Sequence, residues 1–462
     1  MVCSFYYSVV VSWTAYYFIM MSALPELPKD EATSQAIFDH FTTETYWPVL
    51  CHATIMLLVF LCILGGLKWA EIANMVLVPL LLLIILFTFS WSLTRPFGEV
   101  GIKFLFSPSW DSFADPTLWI SALSQNAFDT GAGTGCFVAY ASYFSRNDVS
   151  VRYALIIPLV NNLVSIICGI TIFGTVFSTM LLKNPTLTRN SIIGMMKMSG
   201  PGGTGLTFTW IPVLFASVGI MGRILCSLFF LCLCFAGFTS LISGVQLFAL
   251  CIKNTGVSHR ISLAISVILH FLCGLPSALW INFLTNQDTT WSFALIISGA
   301  IFTLLVVVYG VERYRKVVVN DFGIGDWKLR IPWSFIIAVC VPLEAAFLIV
   351  WWIYAEIKSD PEWYIPTLYS LSTVLIEWSL LVITLAIATV VCWKKQPKFL
   401  DYAKECGYDP VNPDYPSKEQ IKMNEFATTR EIAIPPAREP DFFSASNPNW
   451  QINDKDQFHT YL

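Results

Sequence analysis

The sequence predicts an all-α integral membrane protein with about ten transmembrane helices. Three observations predict it. Of 462 residues, 56% are hydrophobic and only 13% are charged, about half the charged share of an ordinary soluble domain. The apolar residues gather into runs of the ~20 residues needed to cross a ~30 Å hydrocarbon core. The basic residues concentrate in alternate connections between those runs, as the positive-inside rule requires of a multi-pass chain.

The first run, 2–21, lacks the basic flank of a signal peptide and is read as a retained helix. Runs 49–66 and 74–93 follow. The fourth, 117–143, is long enough to span but is interrupted by Asp129, Gly131, Gly133 and Gly135. Then come 154–181, 222–252, 261–281, 291–311, 331–354 and 367–393. With the N-terminus on the cytosolic side, the inner loops hold Lys68, Arg146, Arg152, Lys253, Arg260, Arg313, Arg315, Lys316, Lys328 and Arg330. The longer outer loops hold only Lys29, Arg95, Lys103, Lys183, Arg189, Lys197 and Lys358. Residues 1–393 are therefore read as the membrane domain. The polar, Pro-rich tail 394–462 is read as cytosolic and mostly disordered.

Twelve of the 13 cysteines lie in apolar runs, Cys406 being the exception, so no disulfide framework is expected. No Asn-X-Ser/Thr acceptor occurs with X other than Pro. Nothing resembles a nucleic-acid-binding surface. The sequence has no phosphate-cradling Gly-rich loop beside a soluble domain, no metal-spaced Cys/His set and no nucleophile with a base. An enzyme and an ATP-driven pump are both disfavoured.

The segment from Gln125 to Gly135 carries most of the chemical information. Each Gly costs ~1 kcal/mol in a helix interior relative to Ala. Non-helical backbone at membrane depth survives only where protein or a wet cavity covers it. A carboxylate at such a break points to an ion or substrate site in a secondary transporter. Close helix packing on a glycine face is the alternative, but packing alone has no use for Asp129.

Further motifs resemble the neurotransmitter:sodium symporter family. Phe5-Tyr6-Tyr7 with Trp13 and Tyr16-Tyr17 is similar to its third helix, and Gly66-Leu67-Lys68 to the loop after its fourth. Gly101-Ile102-Lys103-Phe104-Leu105, Asp115-Pro116-Thr117-Leu118-Trp119 and Gln125 to Tyr143 resemble the approach to its sixth helix and that helix itself. Arg152-Tyr153-Ala154 with Val160-Asn161 resembles its seventh. Ser199-Gly200-Pro201-Gly202 resembles its fourth outer loop. Ala236-Gly237-Phe238-Thr239-Ser240 resembles its eighth helix, and Tyr309-Gly310 the end of its tenth.

The resemblance implies an inverted-repeat secondary-transporter fold. It also implies sodium-coupled symport of amino acids or related amines across the plasma membrane by alternating access. The chain begins inside what would be the third helix, so the resemblance implies an N-terminally truncated form without the family's first two helices. A non-transporting form that regulates or misassembles with a complete relative is the alternative function. Self-association, or association with such a relative, is a further expectation.

By the same resemblance, one sodium site uses Asp129 and Asn161. A second uses Ala236, through its carbonyl, with Thr239 and Ser240. Cys3, Tyr7, Phe128, Gly131 and Thr134 would line the substrate pocket, with Tyr7 on the substrate's carboxylate. Gln125, Asp129 and Ser165 stand where many members hold chloride. A fixed carboxylate at 129 implies that chloride is not required; a protonatable Asp129 coupling to H⁺ is the competing reading. Asp288 is a candidate outer gate. Glu344, Glu377, His52 and His270 are read as locally satisfied structural groups.

Overall fold

The computed structural model describes residues 2–65, 67–131, 133–141, 148–197, 206–253, 257–321, 323 and 325–395. Residues 396–462 of the tail expected to be disordered and the Ser199–Gly202 motif lie outside these residues, as do Ser142 and Tyr143; residues 394 and 395 of that tail continue α17. Among the described residues every regular element is a helix. In chain order the helices are α1 (Val2–Ala23), α2 (Glu31–Asp39), α3 (Trp47–Ile63), α4 (Leu67–Leu93), α5 (Gly98–Leu105), α6 (Pro116–Asp129) and α7 (Cys136–Ala141). Then follow α8 (Ser150–Lys183), α9 (Arg189–Lys197), α10 (Ile211–Ala216), α11 (Ile220–Lys253), α12 (His259–Leu279) and α13 (Ile281–Tyr309). The last are α14 (Val311–Arg313), α15 (Ile331–Phe335), α16 (Val341–Ser359) and α17 (Leu371–Lys395).

Among the described residues, eight helical segments are long and apolar enough to cross a membrane. A ninth is reached when α2 with its π-helical extension His40–Glu44 is joined to α3, across a bend of 76°. The tenth expected span is α6 and α7, which the break after Asp129 separates.

Three sequence boundaries are corrected. Residues 67–73, read as loop, already belong to α4. α13 starts at Ile281 rather than near 291, so Asp288 sits inside a helix. α8 runs from Ser150 to Lys183, through Pro158, and overshoots its expected span at both ends.

The residues up to Leu375 form one compact unit, and a second unit begins at Ile376. In the first, α1 is central and packs on α3, α11, α12 and α13. Water does not drive helices together in lipid, so small residues that allow close approach carry much of the packing. A Cβ at Gly237 of α11 would come within 2.6 Å of Val11 of α1. One at Gly101 of α5 would overlap the Phe173 carbonyl of α8. At one end of α1, Trp13 and Tyr17 meet Phe38, Phe41, Phe208 and Phe230 in a fully buried cluster of edge-on and stacked rings. The outward faces of α4 and α8 are rows of exposed leucine, isoleucine and valine, the composition of a lipid-facing surface.

Candidate ion and substrate site

α6 ends where the sequence predicts an interruption. Asp115 opens the helix by accepting from the Thr117 backbone amide at 2.9 Å. The helix runs to Asp129, and Gly131, Gly133 and Gly135 then take φ of 67°, 79° and 81°. L-residues with a Cβ avoid that left-handed region. At Gly133 a second constraint applies. A Cβ there would overlap the Leu295 carbonyl of α13 and lie 2.9 Å from the Gly299 nitrogen. The Ser298 hydroxyl donates to the Gly133 carbonyl at 2.7 Å. The break is thus held against the backbone of α13, which covers part of the non-helical segment as a membrane interior demands.

The last residue of α6 carries the charge. One carboxylate oxygen of Asp129, Oδ2, accepts from Asn161 Nδ2 at 2.6 Å and from Ser165 Oγ at 2.9 Å. Asn161 and Ser165 are one turn apart on α8, so one helix face presents both donors. The Asn161 Oδ1 and Asp129 Oδ1 atoms remain as acceptors. Thr130 and Thr134 return their hydroxyls to the Asn126 and Gly131 carbonyls at 2.7 and 2.8 Å. Asp129 and Ser165 are exposed and Asn161 is half-buried, so this flank of the cluster is open. Hard oxygen acceptors are the ligand type that a small cation takes.

Gln125 lies one turn before Asp129 on the same face of α6, is exposed, and makes no hydrogen bond among the described residues. The structure therefore joins Asp129, Asn161 and Ser165 and leaves Gln125 beside them. Phe128 precedes Asp129 in the last turn of α6, but its side chain lies outside the described residues.

The second expected ion set lies on α11. The Thr239 and Ser240 hydroxyls reach the Ala236 carbonyl at 3.0 and 3.1 Å. Ser/Thr residues in membrane helices commonly back-bond in this way; here α11 is unbroken. The three oxygens form a compact group without a helix break. Tyr7 of α1 brings a fourth oxygen close by, its hydroxyl lying next to Ser240. Tyr7 is half-buried in the α1–α11 interface. Substrate-contact and ion-contact candidates thereby lie side by side. The Cys3 thiol points to the Trp291 carbonyl of α13 at 3.6 Å.

Asp288, in the second turn of α13, faces the buried Tyr6 hydroxyl, which also lies near Ser292. It is half-buried between helices, with a tyrosine partner and no basic one among the described residues. Sequence reading overlooked Ser292, Ser298 and Tyr6. The small run Ser298-Gly299-Ala300 inside an apolar helix was the available signal for the approach to Gly133.

A family model described as the sodium:neurotransmitter symporter family matches residues 33–397. The chain belongs to that family. Cys3 and Tyr7 lie ahead of the matched range, and their family roles rest on the Phe5-Tyr6-Tyr7 motif.

Among relatives, a sodium-dependent transporter of Methanocaldococcus jannaschii is 25% identical over 355 residues, covering 73% of this chain and 69% of its own. A sodium-dependent serotonin transporter of Drosophila melanogaster is 28% identical over 426 residues, covering 73% and 66%. A sodium-dependent nutrient amino acid transporter of Drosophila persimilis is 28% identical over 320 residues, covering 66% and 46%. The chain thus spans less than half the length of that last relative and about two thirds of the others. It is a multi-spanning membrane member of a transporter family and not an enzyme.

Proposed function

We propose that this protein performs sodium-coupled symport of an amino acid or related amine across the plasma membrane, by alternating access and without a chloride requirement. The single observation that carries the reading is the Asp129 carboxylate at the end of a broken helix, joined to Asn161 and Ser165. An ionised carboxylate at membrane depth is costly unless a partner neutralises it, and two neutral donors do not neutralise it. Sodium does, with Asp129 Oδ1, Asn161 Oδ1 and carbonyls of the break as oxygen ligands. Where other members bring chloride to balance the cation, Asp129 brings a fixed negative charge.

The Ala236–Thr239–Ser240 oxygens serve a second sodium. Tyr7, beside Ser240, turns its hydroxyl toward a substrate carboxylate. The names of two relatives, a serotonin transporter and a nutrient amino acid transporter, support this substrate class. The break lets the two halves of the segment tilt as separate bodies, the local motion that alternating access needs.

A second reading is favoured by the exposure of Asp129 and Ser165: a non-transporting chain whose open flank is closed by a complete relative. Uptake of a pooled radiolabelled amino-acid set by cells expressing the 462-residue chain, with surface protein quantified, separates the two. Uptake that falls away when sodium is replaced by choline supports symport. Surface-resident protein without uptake supports the second reading.

A further inference from the structure

α3 and α12 pack antiparallel. His52 meets Phe271 in a tilted ring contact with centroids 5.1 Å apart and abuts Gly274, whereas Phe60, two turns on, shares a groove with Ala264. That open groove has a volume of 320 Å³ and is walled by Ala53, Met56, Phe60, Ala264, Ile268 and Phe271. Every lining side chain is apolar. The small side chains at 53 and 264 make the concavity; Leu57 and Ile268, 57% and 56% exposed, form its rims. An apolar lining without a polar group suits a hydrocarbon chain.

One end of the groove is charged. Helical steps of about 100° per residue put 264, 267, 268 and 271 on the same face as Arg260. Arg260 lies in the first turn of α12, one turn from Ala264. It is exposed and makes no hydrogen bond or ion pair among the described residues. Arg at a helix end reaches the headgroup level with its stem along the apolar surface. Its guanidinium fits phosphate oxygens bidentately.

We propose that the α3–α12 groove is a lipid-binding site, holding one acyl chain of an anionic glycerophospholipid whose headgroup pairs with Arg260. Charge complementarity selects this occupant. A sterol carries no anion for the guanidinium, and a zwitterionic lipid gains less from it. The site lies on α3 and α12, apart from the Asp129 cluster on α6 and α8, and does not depend on the transport reading.

The test is native mass spectrometry of the purified full chain. It is presented with equal amounts of phosphatidylserine and phosphatidylcholine of identical chains. The wild type should retain phosphatidylserine about fivefold over phosphatidylcholine, the ratio that ~1 kcal/mol per basic residue at an anionic surface gives. Arg260→Gln should bring that ratio close to one. Ala264→Phe, which fills the groove without touching the charge, should reduce retention of both lipids. Lys358→Gln, a basic residue at the end of α16, should change nothing. Equal retention by the wild type overturns the proposal, as does an unaltered preference in Arg260→Gln. Adducts that survive Ala264→Phe place the lipid elsewhere. Loss of a dimer in that variant, with lipid binding unchanged, makes the groove an interface between copies and equally overturns it.

Discussion

Asn161 reaches from α8 to Asp129 at the end of α6 and donates its amide hydrogen across 2.6 Å. That contact joins the helix that breaks to the helix that does not. It places an amide oxygen and a carboxylate oxygen together where a cation can meet both.

Removing the charge should separate the ionic roles. Asp129→Asn keeps the shape and loses the carboxylate. Interactions with charged partners contribute ~1.5–3 kcal/mol, so the sodium concentration for half-maximal uptake should rise about tenfold or more. Asp129→Ser should make uptake chloride-dependent, because the negative charge must then come from solution. Uptake assayed in chloride and in gluconate medium checks both variants. Equal chloride dependence of the wild type and Asp129→Ser would show that the carboxylate does not replace the anion.

The three glycines of the break should not be equivalent. Gly131 and Gly133 share a positive φ, but a Cβ at Gly131 meets nothing nearer than 3.7 Å, whereas one at Gly133 collides with α13. Gly131→Ala should cost only the left-handed conformation, ~1–2 kcal/mol. Gly133→Ala should cost more and lower the melting temperature further, read by fluorescence-detected thermal unfolding in detergent. The reverse order would mean that the break does not pack on the Leu295–Gly299 backbone.

Tyr7 and Ser240 should behave as a coupled pair. Tyr7→Phe and Ser240→Ala each remove one of two neighbouring hydroxyls, and residues in contact couple by ~0.5 kcal/mol or more. The double variant should shift sodium half-saturation by less than the sum of the single shifts. Strict additivity would separate the α11 oxygens from the α1 tyrosine.

The start of α8 is capped from another part of the chain. Asp326 accepts from the Val151 backbone amide at 2.7 Å and lies 3.7 Å from the Arg152 guanidinium. Loss of a cap costs ~0.5–2 kcal/mol, so Asp326→Ala should lower the melting temperature and Asp326→Asn should restore part of the loss. Because α8 also carries Asn161 and Ser165, Asp326→Ala should weaken apparent sodium affinity as well. Thermal unfolding and sodium titration of uptake report the two effects separately.

Some of this was legible in the sequence and some was not. The interruption after Asp129 could be read because glycines at alternate positions beside a carboxylate are not explained by helix packing alone. The pairing of Asp129 with Asn161 came from family motifs, since residues 32 positions apart show no local sign of contact. The start of α13 was missed because Asn282, Thr285, Asn286, Gln287 and Asp288 look like a loop by composition. They are helical because the fold satisfies them: Asn286 donates to the Leu368 carbonyl at 2.6 Å, Gln287 accepts from Trp291 at 2.7 Å, and Asp288 meets Tyr6. Hydropathy averages see polar groups and not their partners. Thr239 and Ser240 show the converse. Their spacing suits a cation, and it also suits the back-bonds to Ala236 that the structure shows.

The most direct test is accumulation of labelled amino acid by proteoliposomes containing the purified chain, under an imposed sodium gradient or an imposed proton gradient. The account predicts concentrative uptake with sodium outside, none from the proton gradient alone, and no change when chloride is replaced by gluconate. Uptake driven by protons without sodium would contradict it and make Asp129 a proton carrier.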